Sequence, residues 1–153
     1  MTSAIKTKLA ELGVTLPVAA APAANYVPFV STGNLLLTSG QLPLKDGKLV
    51  ATGLVGRDLD VAAAKDGAKA CAINILAQAN AALGDLEKIK RLLKLTVFVA
   101  SDPAFTEQHL VANGASDFLA AALGERGKHA RSAVGVACLP LNAAVEIEAI
   151  IEI

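Results

Sequence analysis

After Arg131 the chain places Ala133, Gly135 and Ala137 at every second position, and Glu146 follows fifteen residues behind the arginine. In extended backbone, alternate residues share a face. The stretch "ARSAVGVACLPLNAAVEIEAI" therefore sets a lone guanidinium beside a file of very small side chains. A guanidinium so placed is suited to a planar carboxylate, which it can hold through paired hydrogen bonds. The bland alternative is a solvated sheet face carrying an Arg–Glu salt bridge. Against it, exposed strand faces favour residues that fill space, and small residues mark the close approach of a backbone, a subunit or a ligand.

The same alternation groups Arg131, Ala133, Gly135 and Ala137 against Val134, Val136 and Cys138. In the last strand Val145, Ile147, Ala149, Ile151 and Ile153 form an apolar face suited to packing under helices, with Glu146, Glu148, Ile150 and Glu152 opposite. The expectation is that Arg131 and Glu146 share the face turned away from the helices.

Other chemistry finds little support. His109 and His129 are the only histidines, too few at that spacing for a convincing metal site. There is no HExxH, GxGxxG, P-loop or Ser-His-Asp pattern, so neither metal nor cofactor is expected. Cys71 and Cys138 share no CxxC spacing and sit among apolar neighbours, which predicts reduced, buried and inert thiols.

The elements that must position these residues read in order. "MTSAIKTKLAELG" predicts a short N-terminal helix, and "LPVAAAPAANYVPFV", interrupted by prolines, an extended segment over the surface or along a sheet edge. "GNLLLTSGQLPL" predicts a strand after a Gly-Asn turn, and "KDGK" a hairpin turn into the short partner "LVAT". A long helix follows, capped by Asp58 or Asp60, with Ala64, Ala68, Cys71, Ile75, Ala79 and Ala82 at spacings of three and four, ending at Gly84. "IKRLLKLTVFVA" predicts a central strand with Leu93, Leu95, Val97 and Val99 on one face and Thr96 and Phe98 on the other. "SDPAF" predicts the start of a second helix capped by Ser101 or Asp102, with Val111, Ala115, Phe118 and Ala122 as its buried stripe and Gly124 and Gly127 at its end. The fold class is α+β: a single domain over 1–153, with 1–14 as a helical extension and two long helices on one face of a mixed sheet.

Composition narrows the function classes. At 153 residues the chain can bury a proper core, and 54% of its residues are hydrophobic. A mean hydropathy of +0.51 is high for a monomer and points to an oligomer that buries surface against its own copies. No segment is long and apolar enough to predict a membrane span, and with no signal-peptide pattern the expected location is the cytoplasm. Basic and acidic residues balance at 14 each, and there is no Trp, one Tyr and four Phe. The basic run Lys88, Lys90, Arg91 and Lys94 reads as a solvated edge or strand entrance. No nucleic-acid partner is expected.

Three blocks carry a family resemblance: "ARSAVGVACLPLNAAVEIEAI", "LTSGQLPL" and "LTVFVASDPAF" resemble, in the right order, the signatures of the RidA/YjgF family. Together they span about residues 23 to 153. The N-terminal helix and "SGQLPLKDGKLVATGLVGRDL" look closer to a longer-chained branch of it. The resemblance implies a chorismate-mutase-like fold, a homotrimer with ligand sites in the clefts between subunits, and hydrolysis of enamines and imines such as 2-aminoacrylate to a 2-keto acid and ammonia.

Carried over residue by residue, the resemblance makes Arg131 the anchor of the substrate carboxylate and Glu146 the group that positions or activates water. Tyr26, fourteen residues before Gly40, matches the family's site tyrosine, and Gly40 matches the glycine whose backbone lies against the ligand. Ala133 falls where many members have a cysteine whose backbone contacts substrate. His129 stands near where members have proline, and reads either as an extra acid–base group or as a lining of the cleft. The family's site asparagine lies four residues after the helix phenylalanine, a spacing that reaches His109 here, and Asn113 is the substitute candidate. A second reading remains: a trimer of the same fold that binds a small carboxylate without turnover. The ribonuclease activity attached to parts of the family fits poorly with zero net charge and few aromatics.

Overall fold

The computed structural model describes residues 3–22 and 24–153. The chain opens with α1 (Ala4–Glu11), capped by Ser3, whose hydroxyl accepts from the Lys6 N–H. Ile5 and Leu9 on its inner face are buried, while its polar face is solvated. The carboxylate of Glu87 fastens it: Oε1 accepts from the Ile5 N–H and the Ser3 hydroxyl, both at 2.8 Å, and Oε2 pairs with Arg126 at 2.9 Å. These donors, the Ile5 N–H first, then Arg126 and Ser3, hold the Glu87 pKa down at about 2.

Residues 14–22 and 24–28, outside regular structure, precede β1 (Phe29–Thr32) and β2 (Leu35–Thr38), a hairpin closed over Gly33 and Asn34. The segment expected to run along a sheet edge thus ends as the edge strand itself. A small second hairpin, β3 (Leu44–Lys45) and β4 (Lys48–Leu49), turns through Asp46 and Gly47 with φ of 52° and 76°. Two left-handed residues in a row match the twist of a tight hairpin. Of the expected "LVAT" partner only Leu49 lies in β4, which begins at Lys48 inside the expected turn.

Helix α2 (Val61–Leu83) starts at Asp60, whose side chain accepts from the Ala63 N–H at 2.9 Å, and stops at Gly84 with φ of 73°. Its stripe is buried as the spacing predicts, with Ala82 at its margin. Strand β5 (Arg91–Ala100) follows, then α3 (Gln108–Leu123), β6 (Ala130–Val136) and β7 (Val145–Glu152). The sheet order is β1-β2-β7-β5-β6, antiparallel except for β5 and β6, which α3 joins as a crossover. Both long helices cover one face. Their close approach depends on Gly114 of α3, where a side chain would run into the carbonyl of Lys65 in α2.

Three expectations need correction. The second helix begins at Gln108, not at "SDPAF": Asp102 instead accepts from the Ala104 N–H at 2.9 Å, a local turn that competes with helix. In β5 a bulge between Leu92 and Lys94 shifts the alternation, so Leu92 rather than Leu93 joins Leu95, Val97 and Val99 in the core. Cys71 is buried, but Cys138 lies exposed after β6.

The register assigns the faces. Leu95 pairs with Ala149 on one side and Arg131 on the other, so all three point into the helix layer. Phe98 pairs with Glu146 and Val134, which point away from it. The outer face also carries Leu37, Ile150 and Val30, and Val30 and Val134 are 51% and 45% exposed there.

Candidate functional site

Arg131 therefore does not share a face with Glu146. The sequence shows which residues alternate together, but the apolar Val134 and Val136 suggested the wrong partner layer for β6. The strand is an edge strand whose small-residue face meets α3, while its valines lie on the uncovered face.

Against α3 the guanidinium is held on three sides. Nη1 donates to Asn113 Oδ1 at 2.9 Å and to Ser116 Oγ at 3.0 Å, and Nη2 donates to the His109 carbonyl at 3.2 Å. Positions 109, 113 and 116 follow helical spacing, so one face of α3 supplies all three. A guanidinium has five N–H donors. Two remain for an anion, and among the described residues no carboxylate pairs with it. The salt-bridge alternative fails on that point. Half-buried and held at a set angle, Arg131 offers a donor geometry that suits a planar carboxylate.

Behind it, His129 Nε2 lies 2.9 Å from Ser116 Oγ, and its Nδ1 lies 2.6 Å from the Gly127 carbonyl. Asn113, the candidate site asparagine, and His129, expected as an acid–base group or a lining of the cleft, are joined here to the arginine's support: Asn113 directly, His129 through Ser116. Further along β6 the space above Gly135 is not empty. A Cβ there would come within 2.8 Å of Gln108 Nε2, which donates to the Phe105 carbonyl at 2.8 Å. Ala133, next to Arg131 in the file, is half-buried against the core. Ser116 and Gln108 were missed from sequence, although the spacing of 109, 113 and 116 was available to find the serine.

The second group lies on β7. Gln41 forms a two-way backbone bridge with Ile147, at 2.8 and 3.1 Å, and so carries Gly40 beside Glu146. A Cβ on Gly40 would fall 2.8 Å from the Glu146 Cδ and Oε1, so the carboxylate rests on bare backbone. The Ser39 hydroxyl donates to the Val27 carbonyl at 2.7 Å, and the Ser39 N–H to the Pro28 carbonyl at 2.8 Å. These bonds hold the arm bearing Tyr26, itself 50% exposed, next to the same loop. Burial, and then the neighbouring charge of Glu148, raise the Glu146 pKa above its ordinary 4.5. Such a carboxylate is a stronger base than a solvated one. Cys71 gives no competing nucleophile, since burial pushes its thiol well up.

Arg131 and Glu146 thus stand two strands and three residues apart, roughly 14 Å along the sheet, and on opposite faces. One small molecule cannot touch both in a single chain.

A family model described as "YjgF/chorismate_mutase-like, putative endoribonuclease" matches residues 6–153. The chain belongs to the YjgF/RidA family. It is 51% identical to Protein TCP17 of Trypanosoma cruzi over 97% of this chain and 94% of that protein. A solved structure of an Agrobacterium tumefaciens protein of unknown function is 63% identical, with a TM-score of 0.92 over 97% of this chain and 92% of the other. Escherichia coli TdcF, solved with bound serine, is 27% identical, with a TM-score of 0.66 over 89% of this chain and 94% of that one. No helix among the described residues is long and apolar enough to cross a membrane.

Proposed function

We propose that the protein hydrolyses small enamine and imine acids of the 2-aminoacrylate type to a 2-keto acid and ammonia, as a homotrimer whose sites lie between subunits. The observation that carries this reading is the guanidinium of Arg131, fixed by α3 with two N–H groups left over and no carboxylate partner among the described residues. The bound serine of TdcF, an amino acid with its own carboxylate, is consistent with such an anchor.

In this reading Arg131 of one subunit holds the substrate carboxylate and Glu146 of a neighbour faces the imine carbon. The enamine first tautomerises to the imine. Glu146 takes a proton from water as the water oxygen bonds to the C=N carbon and the π electrons move to nitrogen. Glu146 returns that proton to nitrogen, giving the neutral carbinolamine, and then relays the hydroxyl proton to nitrogen as well: the C–N bond breaks, its electron pair leaves with ammonia, and the hydroxyl oxygen becomes the C=O. Each step asks only for orientation and one proton relay. Tyr26 and Gly40 complete the Glu146 side. The apolar outer face, with Val30 and Val134 exposed, supports burial against other copies.

The test generates 2-aminoacrylate with a serine dehydratase and traps surviving imine with semicarbazide. Wild-type protein should lower the trapped product, and neither Arg131→Ala nor Glu146→Ala should. Trapping unchanged by well-folded wild type, across several amino-acid-derived imines, would replace this reading with the second one. That second reading is a trimer that binds small carboxylates without turnover, and it needs only the Arg131 half of the site.

A further inference from the structure

Ser116 and His129 have no role in the chemistry just described, yet their proton positions follow from their partners. The Gly127 carbonyl can only accept, so His129 Nδ1 carries a hydrogen and, in the neutral ring, Nε2 is a bare acceptor. Arg131 can only donate, so Ser116 Oγ accepts from it, and the serine's own proton is free to go to Nε2 at 2.9 Å. The bonds run one way, from Arg131 through Ser116 to His129 and from His129 to Gly127. Aligned chains of this kind strengthen one another.

We propose that His129 is a positioning residue: it acts through Ser116 to fix the guanidinium of Arg131, and it does not touch substrate. This rests on reading Arg131 as a carboxylate anchor. A serine within a helix otherwise turns its proton to a carbonyl one turn back. His129 supplies a competing acceptor and so holds the serine lone pair toward Nη1. It also ties α3 to the chain two residues before Arg131. An arginine side chain has considerable rotamer entropy to lose, and a support assembled before binding removes part of that cost.

The experiment compares wild type with Ser116→Ala, Ser116→Thr, His129→Phe, His129→Gln and the double variant Ser116→Ala/His129→Phe. Steady-state kinetics use 2-aminoacrylate generated in situ, and calorimetry measures 2-oxobutanoate. Ser116→Ala and His129→Phe should each raise KM and the 2-oxobutanoate Kd about fivefold to tenfold, the scale of one hydrogen bond, with kcat within about twofold. Ser116→Thr, which keeps a hydroxyl, and His129→Gln, which keeps an acceptor, should return most of the loss. The double variant should be no worse than Ser116→Ala, because both act on one path.

A fall in kcat at unchanged KM in His129→Phe, or additive losses in the double variant, would overturn the proposal. If His129→Phe does not fold, an unchanged Kd in Ser116→Ala overturns it alone. Wild-type turnover lost in Arg131→Ala but unaffected in both supporting variants removes this inference and leaves the hydrolase. Binding of 2-oxobutanoate with the expected pattern, but no turnover, removes the hydrolase and leaves the inference. Wild type that binds neither compound removes both.

Discussion

Around Arg131, three groups from one face of α3 hold a guanidinium in place, and a histidine stands behind them. Around Glu146 the nearest support is the bare backbone of Gly40, and burial and a like charge make the ionised form costly. The first region offers a guanidinium with free donors, which the proposed function uses to bind. The second offers a carboxylate kept basic by burial and then by the charge of Glu148, which the same proposal uses for proton transfer. The two groups lie on opposite faces of one sheet, so the proposed reaction, which needs both, requires contact between copies.

The largest effect should come from Arg131→Ala, with loss of about 1,000-fold in kcat/KM and no measurable 2-oxobutanoate binding, on the scale of removing a hydrogen-bonded charge from a carboxylate. Arg131→Lys keeps the charge but not the fork, and should retain only a small part of the affinity. A loss confined to kcat would break the division of labour.

Glu146→Gln should lower kcat by about 100-fold while leaving 2-oxobutanoate binding intact. Because its folded pKa is raised, protonated Glu146 favours folding below its ordinary 4.5, and that contribution is lost as pH rises through the raised value, where the ionised form costs stability. The glutamine variant should therefore melt slightly higher than wild type at pH 7. In wild type the acid limb of kcat/KM should lie above pH 4.5 and vanish in the variant.

Mixing Arg131→Ala and Glu146→Gln chains, unfolded and refolded together, sharpens the comparison further. If each site takes one residue from each neighbour, about a quarter of wild-type activity should return. A mixture as inactive as its parts would place each site within one surface.

Gly40→Ala should cost roughly tenfold in kcat, since its Cβ would displace the Glu146 carboxylate, with carboxylate binding unchanged. The smallest effect on activity belongs to Glu87→Gln, whose partners are Ser3, Ile5 and Arg126 rather than Arg131 or Glu146. It should cost about 1–2 kcal/mol of stability through α1. Glu87 has a depressed pKa, so its contribution in wild type is present above pH 4.5 and lost as pH falls toward about 2. Chemical denaturation at pH 7 and pH 3 reads both.

Much of this was legible along the chain. The stripe of α2, the buried face of β7, the Asp60 cap and the Gly84 stop follow from spacing and local backbone chemistry, which neighbours in sequence decide. The family blocks likewise drew attention to Arg131, Gly40 and Glu146. Less legible was the start of α3, where Asp102 bonds its own loop, and the bulge in β5, which one unpaired residue creates without changing composition.

By itself, the sequence determined that Arg131, Ala133 and Gly135 share one side of a strand and that Glu146 lies opposite an unbroken apolar face. Alternation is a property of extended backbone and needs no partner. Which layer each side meets was decided only by the fold, because an edge strand such as β6 takes its facing from the crossover through α3 and from its register with β5. That register turned the arginine toward Asn113, Ser116 and His129, and left Glu146 on the far side of the sheet.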